Sequence, residues 1–236
     1  MKFGVVTFPG SNGDYDSYTA AKFVLGKETV FLWHKSASLE GADVIILPGG
    51  FSYGDYLRSG AIARFSPIMK SVIAFAQSGG IVIGFCNGFQ VLMESGLLPG
   101  ALMRNSHLRF RHRFVYLKTE NHNTPFTNMI PEGKTIKVPI AHGDGNFYNF
   151  QADVDELEKN SKVIFRYSDM NGKITNEANP NGSLNNIAGI SNREGNVLGM
   201  MPHPERAVES ILGSDDGLLV FDSMVNYLVN KPAKSA

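Results

Sequence analysis

The chain has 236 residues, 43% of them hydrophobic, with 22 lysines plus arginines balanced by 22 aspartates plus glutamates. That length suits one large domain or two small ones, and the apolar share is ample for a packed core. Zero formal charge speaks against a general nucleic-acid or membrane-surface binder, since both need a basic excess.

In chain order, Lys2–Thr7 reads as a first strand. It is interrupted too soon by Pro9-Gly10 to be a signal peptide. Gly10-Ser11-Asn12-Gly13 is a loop, and the spacing of Tyr18, Ala21, Phe23 and Leu25 predicts a helix over Ser17–Leu25. Thr29–Trp33 is β-rich. Val44-Ile45-Ile46-Leu47 is a fully apolar run ended by Pro48-Gly49-Gly50. Pro67–Gln77 predicts a helix stopped by Gly79-Gly80, Ile81–Gly84 a strand and Gly88–Ser95 a helix. Short apolar strands alternating with helices imply βαβ units and a parallel sheet covered on both faces, with ligands bound beyond the strands' carboxyl ends. Further on, Phe114–Lys118, Thr135–Ile140, Val163–Tyr167, Ile187–Ser191 and Val197–Met200 read as strands joined by Asn- and Gly-rich loops, notably Asn176–Asn186. The expectation is one domain over residues 1–236: an α/β, mostly parallel sheet with helices on both faces and small antiparallel additions. Asp215–Val229 predicts a closing helix, and the polar tail Asn230–Ala236 is expected to fray. No apolar stretch approaches the ~20 residues of a membrane span, so a soluble cytoplasmic protein is the default.

Cys86 is the only cysteine, which excludes an internal disulfide. It sits in Gly84-Phe85-Cys86-Asn87-Gly88, directly after the Ile81–Gly84 run. A nucleophile flanked by small residues between a buried strand and a helix is the pattern of a nucleophile elbow. A thiol there lies near a helix N-terminus, which favours thiolate. The bland alternative is a small buried hydrophobe, and the flanking glycines weigh against it. A cysteine nucleophile needs a base and a group to orient that base. Pro202-His203-Pro204-Glu205 follows the Val197–Met200 strand and supplies both; taken alone, the same four residues are an ordinary surface turn. Oxyanion donors are available from the backbone of Asn87 and from the Gly49-Gly50 turn.

The elbow, the Pro-Gly-Gly turn and the His-Pro-Glu together resemble the triad (class I) glutamine amidotransferases, whose fold is flavodoxin-like. Phe8–Asn12, Pro48–Arg64 with its Phe51-Ser52-Tyr53-Gly54-Asp55 run, Ala141–Phe147 and Gly199–Arg206 resemble the glutaminase subunits of phosphoribosylformylglycinamidine synthases within that family. The resemblance implies that Cys86 attacks the side-chain amide of L-glutamine, His203 moves the proton and Glu205 orients His203. It implies backbone donors at Gly50 and Asn87, a glutamine pocket lined by Gln90, and contacts to the substrate's α-amino and α-carboxylate ends from His142, Gly143 and Asp144. A cysteinyl thioester is then hydrolysed to glutamate. Ammonia passes to a separate ATP-dependent synthetase subunit, which converts formylglycinamide ribonucleotide to the amidine in de novo purine synthesis. A small accessory subunit belongs to the same implied complex. No cofactor or metal is expected in this chain; ATP and Mg belong to the synthetase.

Three positions depart from the pattern. Asp144 stands where relatives usually carry glutamate, and Ser59 and His112 where cysteine is common. A stand-alone cysteine hydrolase, such as a γ-glutamyl or other intracellular peptidase, and a non-catalytic scaffold are the competing readings, the second opposed by the intact Cys86, His203 and Glu205. Arg104–Arg113 is the one basic concentration. It is open to three readings: a solvated strand face, a docking surface for the synthetase, or a phosphate site. Phe51, Tyr53 and Tyr56 are candidates for the core, for shielding ammonia or for meeting the partner. His34, His107 and His122 lack metal-ligand spacing and carry no assigned chemistry.

Overall fold

A computed structural model describes residues 1–230. In chain order its strands are β1 (Lys2–Thr7), β2 (Glu28–Trp33), β3 (Val44–Leu47), β4 (Ile81–Phe85), β5 (Ala101–Met103), β6 (Arg111–Thr119), β7 (Thr135–His142), β8 (Asn146–Tyr148), β9 (Val163–Ser168), β10 (Ile187–Ser191) and β11 (Val197–Met200). The longer helices are α1 (Asp14–Thr19), which continues as π-helix over Ala20–Val24, α2 (Pro67–Gln77), α3 (Asn87–Glu94), α4 (Gln151–Lys159) and α5 (Leu218–Asn230).

Nine strands form one sheet in the order β2-β1-β3-β4-β11-β10-β9-β6-β7, and β5 pairs with β8 in a separate ribbon. From β2 to β11 every pairing is parallel. From β11 to β7 every pairing is antiparallel. The antiparallel additions expected from the second half therefore extend the same sheet. All four residues of β3, all five of β4 and all four of β11 are buried, as strands covered on both faces must be, and this explains their unbroken apolar runs. One face packs Phe3, Val5, Ile46, Ile83 and Phe85 against Ala20, Ala21 and α5, whose Phe221 ring lies 6.1 Å from that of Phe85. The other packs Val6, Ile45, Leu47 and Val82 against Val72 of α2 and Leu92 of α3.

Several boundaries differ from expectation for local reasons. The first helix begins at Asp14 rather than Ser17, because both the amide and the hydroxyl of Ser17 bond back to the Gly13 carbonyl. The closing helix begins at Leu218 rather than Asp215: the Asp215 and Asp216 carboxylates accept bonds from the Ser210 hydroxyl and the Lys137 amide. The helix α4 was not expected; only Val154 and Leu157 are buried along it, too few to mark a helical period. The ribbon strands β5 and β8, three residues each, were likewise not expected. The expected fraying tail lies outside the described residues, apart from Asn230, which ends α5.

Candidate active site

The carboxyl ends of β1, β3, β4 and β11 converge at one edge of the parallel half-sheet. Beyond β4 the chain turns at Cys86, whose φ of 49° and ψ of −105° lie in a region non-glycine residues rarely adopt, and then enters α3. The turn is tied to β11 by the Cys86 amide, which donates to the Met200 carbonyl at 2.8 Å. Its tightness depends on missing side chains. A Cβ on Gly88 would lie 2.0 Å from the Leu47 carbonyl oxygen, and one on Gly84 would lie 2.7 Å from the Gly88 backbone. The predicted elbow is present, and both flanking glycines are obligatory.

His203 stands just past the end of β11, with its own amide bonded to the Pro139 carbonyl. Its Nδ1 lies 2.6 Å from Glu205 Oε1, and both residues are buried. Nε2, the other ring nitrogen, is buried and among the described residues has no hydrogen-bond partner within ordinary distance. A Cβ on Gly49 would meet His203 Cε1 at 2.7 Å and Cys86 Cβ at 3.6 Å, so the imidazole and the cysteine side chain both line the space above one glycine. Burial works to lower the His203 pKa, but the Glu205 carboxylate and the neighbouring Cys86 outweigh it and raise it to about 9. An imidazole that stays charged beside a thiol supports a thiolate–imidazolium pair. The thiol also reaches the Ala141 carbonyl, at 3.7 Å.

The turn after β3 holds Gly50, the residue expected to offer an oxyanion donor. Gly50 has φ +146°, and a Cβ there would lie within 2.8 Å of Ser11 Cα, the Asn12 nitrogen and the Gly10 oxygen. The bridge between Ser11 and Gly50 is flanked by bonds from Phe51 N to Gly10 O and from Asn12 N to Gly49 O, so it does not consume the Gly50 N–H. Asn87, first residue of α3, presents its N–H at a helix N-terminus. Its side chain locks the same turn from the other side: Oδ1 accepts from the Ser52 amide at 3.1 Å, and Nδ2 donates to Gln90 Oε1 at 2.8 Å.

Gln90 passes this network on, donating from Nε2 to the Asp144 carbonyl at 2.7 Å. The expected pocket residues Gln90 and Asp144 are thus brought together beside the elbow. Asp144 is contacted by the Ser59 hydroxyl at 3.4 Å and, at the surface, by Arg104 Nε at 3.6 Å. Burial raises the pKa of Asp55; its hydrogen bond with Ser59 opposes that rise, and the nearby Asp144 carboxylate adds to it. The His142 ring is placed differently from a residue open to substrate. It is buried beneath the loop, where a Cβ on Gly145 would lie 2.4 Å from its Nε2, and it bonds to Asn181. Burial and the nearby His203 and His107 depress its pKa to about 3, so it is neutral.

Residues absent from the sequence expectations hold this loop. Asn105, fully buried, donates from Nδ2 to the Arg109 and His142 carbonyls and accepts from the Gly145 amide, while its own amide donates to the Gly143 carbonyl. Asn181, also fully buried, donates to the Gly145 carbonyl at 2.7 Å and accepts from the Ser183 hydroxyl. Asn181's only sequence signal was membership of the Asn-rich stretch Asn176–Asn186, which also marks ordinary turns, and Asn105 lies inside the basic Arg104–Arg113 segment, where nothing singles it out.

Of the aromatic candidates, Phe51 and Tyr56 are exposed, whereas the Tyr53 hydroxyl is anchored to His34 Nδ1 and the Ser66 hydroxyl. His107 and His122 bond to the Pro180 and Ile130 carbonyls. Arg109, Arg111 and Arg113 are exposed, and among the described residues none forms an ion pair with a carboxylate. No cluster of three or more metal-ligating side chains occurs among the described residues, and no described helix is long and apolar enough to cross a membrane.

Residues 1–227 match the family model of the CobB/CobQ-like glutamine amidotransferase domain. The chain is 59% identical over 227 residues to a protein of Moorella thermoacetica named phosphoribosylformylglycinamidine synthase subunit PurQ, covering 96% of each chain. It is 57% identical over 227 residues to the protein of the same name from Salinibacter ruber, covering 96% of this chain and 97% of that one. Among solved structures, a chain of PurLQS from Thermotoga maritima superposes with a TM-score of 0.85 at 44% identity, covering 96% of this chain and 98% of that one. A glutamine amidotransferase of Thermotoga maritima superposes with a TM-score of 0.55 at 15% identity, over 97% of this chain and 92% of that one, a likeness of fold alone.

Proposed function

The chain belongs to the CobB/CobQ-like glutamine amidotransferase family, and we propose from that premise how its residues divide the work of the reaction. It is the glutaminase subunit of phosphoribosylformylglycinamidine synthase, hydrolysing L-glutamine and supplying ammonia to a partner subunit in purine biosynthesis.

Cys86 Sγ attacks the side-chain carbonyl carbon of glutamine. The oxygen of the resulting tetrahedral adduct takes up negative charge in front of the Gly50 and Asn87 N–H groups, donors set in place before the reaction and therefore free of reorganisation cost. His203 Nε2 gives its proton to the amide nitrogen as the C–N bond breaks, so ammonia departs and a γ-glutamyl thioester remains. Water then attacks the thioester, His203 recovers a proton from it, and glutamate leaves as the thiolate is restored. Glu205 holds Nδ1 through both half-reactions, which keeps Nε2 as the working nitrogen. Gly143, Asp144 and Gln90 receive the substrate's α-ammonium and α-carboxylate, with His142 supporting that loop from below.

A single domain carries this chemistry. ATP and Mg bind on the synthetase, a small accessory subunit completes the complex, and the assembly is cytoplasmic. The observation that supports the division of roles best is the buried His203–Glu205 pair, with its free Nε2 beside the elbow thiol. The test is reconstitution of the full chain with its synthetase, ATP and formylglycinamide ribonucleotide. Glutamine should yield the amidine and one glutamate per product. Peptide cleavage by the isolated chain, with no glutamine turnover in the complex, would favour a stand-alone cysteine hydrolase instead.

A further inference from the structure

Glu205 has a side chain with no solvent exposure, and among the described residues its Oε2 has no hydrogen-bond partner. An ionised carboxylate in such a place is costly unless opposite charge lies near. His203 supplies one such charge. The other cation nearby is the next residue, Arg206, whose Nε lies 4.0 Å from Glu205 Oε1. Arg206 is not free to drift. Nε donates to Asp16 Oδ2 on α1 at 2.8 Å, and Nη2 donates to Asn12 Oδ1 at 3.2 Å. Asn12 in turn belongs to the loop whose Asn12 and Gly13 amides both grip the Gly49 carbonyl, at 3.2 and 3.0 Å. Gly13 fills the gap between the two halves of the site: a Cβ there would lie 3.1 Å from the Gly49 nitrogen and 3.4 Å from Glu205 Oε1.

We infer that Arg206 is a positioning residue for glutamine hydrolysis, fixing Glu205 by its charge and the Gly49-Gly50 oxyanion turn by its hydrogen bond to Asn12. The inference rests on the function proposed above and adds a residue to it. A guanidinium suits both tasks, because it stays charged at every working pH and its fork serves two acceptors at once. The charged groups that face it are Asp16 on α1, Glu205 on its own turn and Cys86 at the elbow. His142, on β7, is a further titratable group near His203.

Arg206 faces the elbow thiol, and removing its fixed positive charge makes a neighbouring anion less favourable. In the reconstituted complex, Arg206→Met is expected to lower kcat for glutamine about 10- to 100-fold, the scale of a small misplacement of reacting groups. Alkylation of Cys86 by iodoacetamide, clean because the chain has one thiol, should begin roughly 0.5–1 pH unit higher. Arg206→Lys restores the charge but not the fork, so it should return the alkylation profile to its wild-type position while kcat stays low. Asp16→Asn, at a half-exposed position, frees Arg206 from α1 and should cost a few-fold in kcat without threatening the fold. Glutamine turnover within about twofold of wild type in Arg206→Met would overturn the inference. So would a loss of turnover with an unmoved alkylation profile, or an Arg206→Met chain that merely unfolds while Asp16→Asn is fully active. Failure of the wild-type complex to use glutamine at all would instead sink the proposed function.

Discussion

The elbow and the His142–Gly145 loop face each other across the same site and are held by opposite means. From β4 through α3 the geometry is set by backbone approaching backbone, and no side chain caps the helix at Cys86. The close contacts there need atoms to be missing, at Gly84 and Gly88. The loop opposite is held by added atoms, the carboxamides of Asn105, Asn181 and Gln90. An absent side chain is costly to restore, whereas a carboxamide bond lost at one point leaves its neighbours in place. The elbow should therefore fail abruptly and the loop gradually.

The largest effect belongs to Cys86, the proposed nucleophile. Cys86→Ala is expected to lower glutamine-dependent amidine synthesis by at least about 10⁴-fold, since nucleophile and base act as a unit. Synthesis from added ammonia by the complex should persist, because that step bypasses the thioester. Glutamine-dependent turnover surviving in Cys86→Ala would contradict covalent catalysis at this site.

Next comes the elbow's frame. Gly88→Ala pushes a methyl group to 2.0 Å from the Leu47 oxygen, so strand or helix must shift. We expect about 2–3 kcal/mol of lost stability in urea unfolding, the scale of a badly overpacked core site, together with loss of glutaminase activity. A fully stable, fully active Gly88→Ala chain would show that the elbow tolerates a side chain.

This difference also explains what could be read from sequence. The parallel strands and the elbow were legible, because burial on both faces demands unbroken apolar runs and a tight turn demands glycine. His203 and Glu205 were legible because they follow a strand end directly. Asn105 and Asn181 were not, since a carboxamide that ties two loops together looks in one dimension like any turn residue. The buried position of His142 was equally hidden: one histidine in a Gly-rich loop gives no sign of whether its ring faces substrate or core. Arg206 escaped notice because its partners, Asp16 and Asn12, lie 190 and 194 residues away along the chain.

The charge state of His203, the proposed base, gives a third test. The His203 pKa, about 9 when folded, stands above its unfolded value near 6.5. Its contribution to stability is thus complete below about pH 6.5 and is lost as pH rises through about 9, at no more than ~1.4 kcal/mol per pH unit. Burial opposes this rise and Glu205 leads the groups that produce it, so Glu205→Gln should flatten the decline. Urea midpoints at pH 6 and pH 9.5 compare the two chains, with an excess loss of about 2 kcal/mol expected in the wild type. Parallel declines would mean that His203 is not held charged by Glu205.

Asn181→Ala probes the loop itself. It removes bonds to the Gly145 carbonyl and to the His142 ring, both buried, at an expected cost of about 1–3 kcal/mol. Because Asn105 still grips Gly143 and Gly145, catalysis should survive in altered form: KM for glutamine should rise about tenfold while kcat falls less. A kcat loss approaching that of Cys86→Ala, with KM unchanged, would place the loop's influence on the chemistry rather than on substrate binding.

The smallest effect marks where the loop's support ends. Arg104 reaches Asp144 Oδ1 at 3.6 Å, but its side chain is 72% exposed, and such ion pairs are screened by solvent and salt. Asp144 keeps its contact with Ser59, and its carbonyl remains bonded to Gln90. Arg104→Ala should therefore change KM for glutamine by less than about threefold at physiological salt, with any effect shrinking further as salt is added. An effect as large as that of Asn181→Ala would mean that the substrate's charged end is steered from the rim, and the buried carboxamides would no longer suffice to explain how the loop holds its shape.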